Sequence, residues 1–349
     1  MRLLIITQAV DNNDPVLGFF VSWIRELSKR FESVDVICLR EGTHSLPANV
    51  SVHSLGKENL EIENWKLKIL RRPLYIMRFY RYAWSLRRSY DAVFVHMNQE
   101  YVLLGAILWK LLGKRVYMWR NHYSGGALTD TAAFFCTKVF YTSRHSYTAK
   151  FKNAVRMPVG VEMELYSSGN ASRVPRSILW FARVAPSKRL ELFIEALAIL
   201  QRKGITFSAS VYGSPLPADV PYLEQQKTRA KETGLPVVFH DGVSHDRTPE
   251  IFGAHEIFVN TSPSGMYDKT IFEAAGAGCI SLASSKDFSA DAGKEFYFDD
   301  AEGLAKKLED FLNAPENIRK DAKSRLGLIA KNNSLEALAA KLAEELEYV

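Results

Sequence analysis

Ser177-Ile178-Leu179-Trp180-Phe181-Ala182-Arg183-Val184-Ala185-Pro186-Ser187-Lys188-Arg189-Leu190-Glu191 is the stretch that decides the fold. Five residues without polar alternation predict a strand covered on both faces. A loop with two cations, Arg183 and Lys188, follows. A helix then begins, with Leu190, Phe193, Ile194, Leu197 and Leu200 on one apolar face. The order strand, loop, helix is half of a βαβ unit, and its strand belongs in a parallel sheet.

The same alternation runs outward in both directions. Toward the N-terminus, Leu3-Leu4-Ile5-Ile6, Val34 to Leu39, Asp91 to His96, Val116 to Trp119 and Lys138 to Thr142 read as strands. Between the first two lies a helical stretch with Phe20, Ile24, Leu27 and Phe31 on one face. Toward the C-terminus, strands are expected at Phe207 to Tyr212, Val237 to Phe239, Ile257 to Val259, Ile280 to Leu282 and Phe296 to Phe298. A last helix, about 334 to 347, carries Leu335, Leu338, Leu342 and Leu346 on one face. Met157-Pro158-Val159-Gly160 breaks the periodicity midway. The expectation is therefore α/β: two Rossmann-like, doubly wound domains facing a cleft. Residues 1–157 form the first, 158–333 the second, and 334–349 are a terminal helix that packs back on the first.

Bulk properties agree with two folded domains. The chain has 349 residues, 47% hydrophobic and 24% charged, near the globular average. Its three cysteines, Cys38, Cys136 and Cys279, are far apart and each sits in an apolar run. That pattern suits a reducing compartment and neither a disulfide framework nor a zinc site. No leader is visible at the start. The longest apolar stretch, Tyr101 to Gly113, is interrupted by Lys110 and is too short to span a bilayer. A cytoplasmic protein, peripheral at the inner face of the plasma membrane, is expected.

Charge is unevenly placed. Residues 65–90 hold Lys66, Lys68, Arg71, Arg72, Arg78, Arg81, Arg87 and Arg88 and no acid, so this segment exceeds the whole chain's net +6. Basicity confined to one segment points to a local anionic partner. Trp65, Tyr75, Phe79, Tyr80, Tyr82, Trp84 and Tyr90 are interleaved with it. An anionic membrane surface fits this pattern. The rival reading is a core-facing aromatic stripe with solvated cations at its edge. No nucleic-acid-binding motif is present, so nucleic acid is not expected as a partner.

Chemistry concentrates in two strand–loop–helix segments. Ligands of open α/β sheets bind at the carboxyl ends of the strands. There Arg183 and Lys188 can neutralise a diphosphate, although a merely solvated basic loop would look the same. The second segment runs Asn260-Thr261-Ser262-Pro263-Ser264-Gly265-Met266-Tyr267-Asp268-Lys269-Thr270-Ile271-Phe272-Glu273. A helix starting near Lys269 would aim its first N–H groups and its positive dipole end at the loop. Glu273, one turn in, can meet a ribose. Gly276 and Gly278 in that helix imply a close packing partner or the helix end.

Together these segments resemble the donor half of retaining GT-B glycosyltransferases of family 4, which includes capsule, exopolysaccharide and lipopolysaccharide enzymes. Ala182-Arg183-Val184-Ala185-Pro186-Ser187-Lys188 resembles the family's G-R-x-x-x-x-K loop. Pro158-Val159-Gly160-Val161-Glu162 resembles its P-N-G-V-D strand, Val238 to Val243 its V-x-F-x-G-x-V turn, and Asp91 to His96 its D-V-V-H-x-H strand. Of the family's two glutamates, eight positions apart, Glu273 fits the second. Gly265 stands where the first would be, with Asp268-Lys269 nearby.

The resemblance implies a hexosyl-type transferase for surface polysaccharide, moving sugar from a UDP-sugar or GDP-sugar to a glycan or polyprenyl-linked acceptor with retention. It implies catalytic parts for Arg183, Lys188, His122 and Asp268. Donor contacts would come from Glu273, from Lys269, Thr270 and Ile271 at the helix start, and from Gly265, Gly213, Gly242 and Val243. Gly18 would form the acceptor-side wall. No metal is expected, because no Asp-x-Asp motif is present and two cations with a helix dipole can carry the leaving-group charge. Two other readings stay open: a catalytically weak partner of another transferase, and a nicotinamide-dependent oxidoreductase. The second lacks a G-x-G-x-x-G after its first strand.

Overall fold

The computed structural model describes residues 1–14, 17–58, 71–167, 173–265 and 267–347. The chain divides into two compact units, residues 1–157 with 338–349, and residues 158–337.

In the first unit the strands are β1 (Arg2–Val10), β2 (Ser33–Glu41), β3 (Val50–Ser54), β4 (Ala92–His96), β5 (Arg115–Trp119), β6 (Lys138–Tyr141) and β7 (Ala154–Arg156). Its helices are α1 (Phe19–Ser28), α2 (Arg72–Ser85), α3 (Gln99–Leu111) and α4 (Ala127–Phe135) among the described residues. All strand pairs are parallel, in the order β3-β2-β1-β4-β5-β6-β7. Leu3, Leu4, Ile5 and Ile6 of the central strand are fully buried, as a strand covered on both faces requires. Phe20, Ile24 and Leu27 of α1 are buried as expected, while Phe31 lies beyond the helix end.

In the second unit the strands are β8 (Ser177–Phe181), β9 (Ser208–Tyr212), β10 (Val237–His240), β11 (Ile257–Asn260) and β12 (Ile280–Ala283), again all parallel, in the order β10-β9-β8-β11-β12. The helices are α5 (Met163–Ser167), α6 (Leu190–Arg202), α7 (Val220–Glu232), α8 (Thr248–Ala254), α9 (Lys269–Gly276), α10 (Lys286–Ala292), α11 (Ala301–Asn313) and α12 (Glu316–Asn332). All five apolar-face residues of α6 are buried. Gly276 lies against Met163 and Tyr166 of α5, the close partner its place in a helix called for.

A final helix, α13 (Leu335–Glu347), begins in the second unit, where the Leu335 N–H donates to Val161 O at 2.8 Å. From Leu338 onward it belongs to the first unit. There Tyr117 Oη donates to Leu346 O at 3.2 Å, and Lys341 Nζ to Arg156 O at 2.7 Å.

One expected strand is absent. Phe296 and Phe298 are buried, which explains the apolar run, but the chain there makes a short 3-10 turn (Lys294–Phe296) and one bridge from Tyr297 to Ala283. Two strands went unread. β3 is a half-exposed edge strand, and β7 has only three residues. The three cysteines are free and buried, and burial pushes the Cys38 thiol up to about 12 and the Cys279 thiol up to about 11. No helix among the described residues is long and apolar enough to cross a membrane.

Each sheet reverses its winding once. In the first unit this happens between β1 and β4, and in the second between β8 and β11. Loops leaving those strands splay apart at the carboxyl edge, which makes the two crevices the expected places for ligands.

Candidate functional site

The loops after β8 and β11 carry the residues singled out in the second unit, and they are joined by an ion pair. Lys188 Nζ lies 2.7 Å from Asp268 Oδ2, both partly buried, and also donates to Ser262 Oγ at 3.1 Å. The same carboxylate oxygen accepts from Asn260 Nδ2 at 3.1 Å and from Ser262 Oγ. Burial pushes the Asp268 carboxyl up, but Lys188 and the two other donors outweigh it and hold it below the usual carboxylate range. Asp268 is the N-cap residue of α9, yet its side chain does not cap the helix. Turned toward Lys188, it leaves the first-turn N–H groups of Lys269 and Thr270 uncovered by its carboxylate.

One turn into α9, Glu273 is only 6% exposed. Burial drives its carboxyl up in pKa, opposed by His245, Lys269 and a hydrogen bond with Tyr166. Lys269 shifts the other way, because burial lowers it and the acids Glu273 and Glu162 only partly compensate. Its Nζ donates to Gly160 O at 2.9 Å. Thr270 Oγ1 accepts from Asn260 Nδ2 at 3.3 Å, and Ile271 is core.

Arg183 is not part of this cluster. It is exposed on the loop and makes no hydrogen bond or ion pair among the described residues. Gly265 sits buried at φ +102°, a left-handed conformation that a glutamate would adopt only with strain. Gly213, after β9, leaves no room for a side chain: a Cβ there would lie 1.9 Å from Ala182 O. Gly242 donates its N–H to Ser214 Oγ at 2.9 Å, while Val243 packs on the core of this unit. These three surround the turn after β10, where Phe181, Tyr212 and His240 stack in sequence, the last two with ring centroids 4.2 Å apart.

Sequence reasoning missed the residues that hold the two loops together. Arg189, at φ +52°, donates from Nε to Thr261 O at 2.7 Å and from Nη2 to Ser284 Oγ. Burial lowers its pKa. Trp180 Nε1 donates to Thr261 Oγ1 at 2.9 Å, and that hydroxyl donates on to Lys188 O. The available signal was Asn260-Thr261-Ser262, three polar residues directly after an apolar strand and all nearly fully buried. Buried polar side chains need partners: Asn260 finds them within its own loop and helix start, while Thr261 and Ser262 meet Trp180 and Lys188 on the other side.

In the first unit, His122 follows β5 in an otherwise irregular loop. Its Nδ1 accepts from Ser124 N at 3.0 Å and lies 2.7 Å from Ser124 Oγ, and its ring stacks on Tyr123 at 4.4 Å. A backbone N–H donated to Nδ1 selects the neutral tautomer with its proton on Nε2. Gly18 stands at the start of α1 and donates its N–H to Asp14 O at 3.0 Å. It shares no hydrogen bond with His122.

The basic segment is described only from Arg71 on, so Trp65, Lys66 and Lys68 lie outside the described residues. Its aromatics divide. Phe79 and Tyr90 are core, while Tyr80 and Trp84 are 41% and 53% exposed. Arg78 is tied to Leu55 O at 2.7 Å and Arg87 lies over the Trp84 ring. Arg71, Arg72, Arg81 and Arg88 are exposed beside Ile76 and Met77. No group of three or more His, Cys, Asp or Glu side chains that could hold a metal ion occurs among the described residues.

Residues 175–314 match the glycosyl transferases group 1 family. That stretch spans β8 to α11 and contains Arg183, Lys188, Asp268 and Glu273. The second unit thus carries a glycosyltransferase domain. No curated protein matches the chain by sequence. Among solved structures, Anabaena Alr3699/HepE in complex with UDP is similar over 100% of both chains, with TM-score 0.76 and 16% identity. Sucrose-phosphate synthase (tll1590) from Thermosynechococcus elongatus covers 98% of this chain and 97% of its own, with TM-score 0.75 and 14% identity. A trehalose-6-phosphate protein from E. coli bound with UDP-2-fluoro glucose covers 100% and 99%, with TM-score 0.71 and 10% identity. At such identities the likeness concerns the fold, and that fold is GT-B, two parallel-sheet Rossmann-like domains. The glycosyltransferase domain is the half in which loop, helix start and Glu273 come together.

Proposed function

We propose that the protein is a retaining family 4 glycosyltransferase that moves a hexosyl group from a nucleotide-diphosphate sugar to a glycan or polyprenyl-linked saccharide in surface polysaccharide synthesis. The observation that carries this reading is the cluster of Lys188, Asp268 and the start of α9 at the β8–β11 crevice, inside the stretch that matches the group 1 family. Uridine is the first nucleotide to test, because similar structures hold UDP and UDP-glucose.

On this reading the second domain, residues 158–333, holds the donor and the first, residues 1–157, the acceptor. The turn with Gly213, Gly242 and Val243 receives the base, and Glu273 accepts from ribose hydroxyls. Cleavage of the sugar–phosphate bond leaves negative charge on the diphosphate. Arg183, without a partner among the described residues, and the N–H groups of Lys269 and Thr270 meet that charge, with Lys188 held in line by Asp268 and the Ile271 N–H donated at 3.4 Å to Asp268 O. Gly265 leaves open backbone where the family's first glutamate would stand, so the donor sugar's hydroxyls fall to Asp268. The His122 Nε2 proton is available to a sugar hydroxyl, and Gly18 contributes to the acceptor-side wall. With the leaving-group charge met in this way, the reaction proceeds without a metal.

The exposed Arg71, Arg72, Arg81 and Arg88, next to Met77, Tyr80 and Trp84, suit docking on an anionic membrane. On this reading the enzyme works at the inner face of the plasma membrane, where a polyprenyl-linked acceptor would present its sugar.

Thermal denaturation in a chelator, with a panel of UDP- and GDP-sugars, tests the donor assignment. The right donor at 100 times its Kd stabilises the protein by about 2.7 kcal/mol, and Glu273→Gln weakens that stabilisation. Turnover follows without added metal, and the product keeps the donor's anomeric configuration by NMR. No stabilisation by any nucleotide sugar, or activity only on adding magnesium or manganese, overturns the corresponding part.

A further inference from the structure

The first sheet has its own crevice, at the β1–β4 reversal, and it is open. A pocket of about 450 Å3 lies there, lined by Gln8, Asp14, Arg40, Lys57, His96 and Asn98 with apolar Leu17, Leu39 and Met97 between them. The volume falls within the range of small-molecule sites, about 300–1,000 Å3. Met97 holds a left-handed backbone, φ +66°, at the pocket mouth and is 42% exposed. Non-glycine residues keep such a conformation only where the surroundings impose it, and they cluster at ligand sites. Its N–H donates to Trp119 O at 2.8 Å, which fixes the loop.

The polar lining divides into groups that are committed and groups that are not. Asp14 is paired with Arg40 and accepts from the Leu17 N–H at 2.8 Å. His96 is buried, its ring stacked on Phe20 at 3.7 Å and its Nδ1 3.4 Å from Thr7 Oγ1. The side chains of Gln8, Lys57 and Asn98, by contrast, make no hydrogen bond or ion pair among the described residues. Glu58, next to Lys57 in sequence, accepts from Ser54 Oγ at 2.7 Å and from the Glu41 N–H at 3.2 Å. Asp14 thus answers Arg40, and Lys57 makes no ion pair among the described residues.

We propose that this pocket binds a saccharide through an anionic substituent, a phosphate or carboxylate held by Lys57 with help from Arg40, while the Gln8 and Asn98 amides take the ring hydroxyls. The apolar residues between them meet the C–H faces of the sugar. Calling this saccharide the acceptor rests on the transferase reading above; its binding does not.

Calorimetric titration of the whole protein, without donor, tests the pocket with glucose 6-phosphate, glucuronate, glucose and inorganic phosphate. A charged sugar is expected to bind at least about 10-fold more tightly than glucose, the scale of one charge-assisted contact. Comparison of glucose 6-phosphate with glucuronate separates phosphate from carboxylate. Lys57→Gln, which breaks no side-chain hydrogen bond or ion pair among the described residues, should reduce that preference about 10-fold and leave stabilisation by nucleotide sugars unchanged. Equal binding of glucose and both charged sugars, no binding of either charged sugar, inorganic phosphate binding as well as the sugar phosphate, or indifference to Lys57→Gln each overturns the proposal. Donor binding in the same preparation shows that such a failure belongs to the pocket and not to the transferase reading.

Discussion

The two winding reversals of this molecule are built alike and finished differently. At β8–β11 the polar residues satisfy one another. Lys188 meets Asp268, Asn260 and Ser262 close around the same carboxylate, and Arg189 pins both loops. At β1–β4 the loops stand apart around a pocket, and three of its polar side chains have no partner among the described residues. The sheet topology is the same, so topology alone does not say what a crevice binds. A crevice whose charges are already paired is preorganised for a ligand that extends a network. One with unspent charges awaits a ligand that completes it.

The sharpest way to break this comparison is to remove the paired cation. Lys188→Ala is expected to lower turnover by about 10²–10³-fold, the scale for losing one preorganised stabiliser of developing charge. It also strands the Asp268 carboxylate, so the variant should lose thermal stability as well. Asp268→Asn keeps the side-chain size and removes the charge that holds Lys188, so its fall in turnover set against that of Lys188→Ala shows how far the two act as one unit. Near wild-type turnover in Lys188→Ala, measured at saturating donor, would mean that the ion pair is scaffolding and nothing more.

What the sequence made legible follows the same division. Five strands of the first sheet and all five of the second were read correctly from their apolar, β-branched runs, because strands covered on both faces favour that composition. β3 escaped because its half-exposed residues alternate only weakly, and Phe296 to Phe298 misled because burial of aromatics does not need a strand. The cationic loop and the helix start at Lys269 were visible as local patterns. The Lys188–Asp268 pair was not, since its members are 80 positions apart and only the adjacency of β8 and β11 brings them together. Arg189, next to Lys188, carried no local signal of a structural role. Its left-handed backbone turns it inward. The pocket around Lys57 had no local signature, because its lining comes from the ends of three strands.

A second test concerns the unspent cations outside the pocket. If α2 meets an anionic membrane, then Arg72→Gln with Arg81→Gln removes two surface contacts worth about 1 kcal/mol each, about a 30-fold loss in partitioning. Sedimentation with vesicles rich in phosphatidylglycerol reads this, with neutral phosphatidylcholine vesicles as the baseline. Arg78→Gln should weaken the fold rather than the partitioning, because Arg78 is bound to Leu55 O. Partitioning that ignores both lipid charge and the double substitution would leave the exposed Met77 and Trp84 without this explanation.

The smallest effect is expected where a charge is paired but exposed, at the amino edge of the first sheet. Asp91 lies on the strand that resembles the family's D-V-V-H-x-H, yet its partner is structural. Its carboxylate accepts from the Arg2 side chain at 2.8 Å and from the Arg2 backbone N–H at 2.9 Å. The hydrogen bond from the Arg2 side chain is the main reason its carboxyl is held down at about 2. A carboxyl whose folded pKa lies below the unfolded value of about 3.9 adds stability that is complete above pH 4 and lost as pH falls toward 2. Asp91→Asn keeps an acceptor for the Arg2 N–H and removes only the charge. Its melting temperature should therefore lie slightly below wild type at pH 7, by a margin that closes on acidification and shrinks in 1 M salt, where screening acts within about 3 Å. Both side chains are more than a third exposed, so solvent already weakens the pair. A margin that stayed constant from pH 7 down to pH 2 would show that Asp91 acts by shape and hydrogen bonding alone.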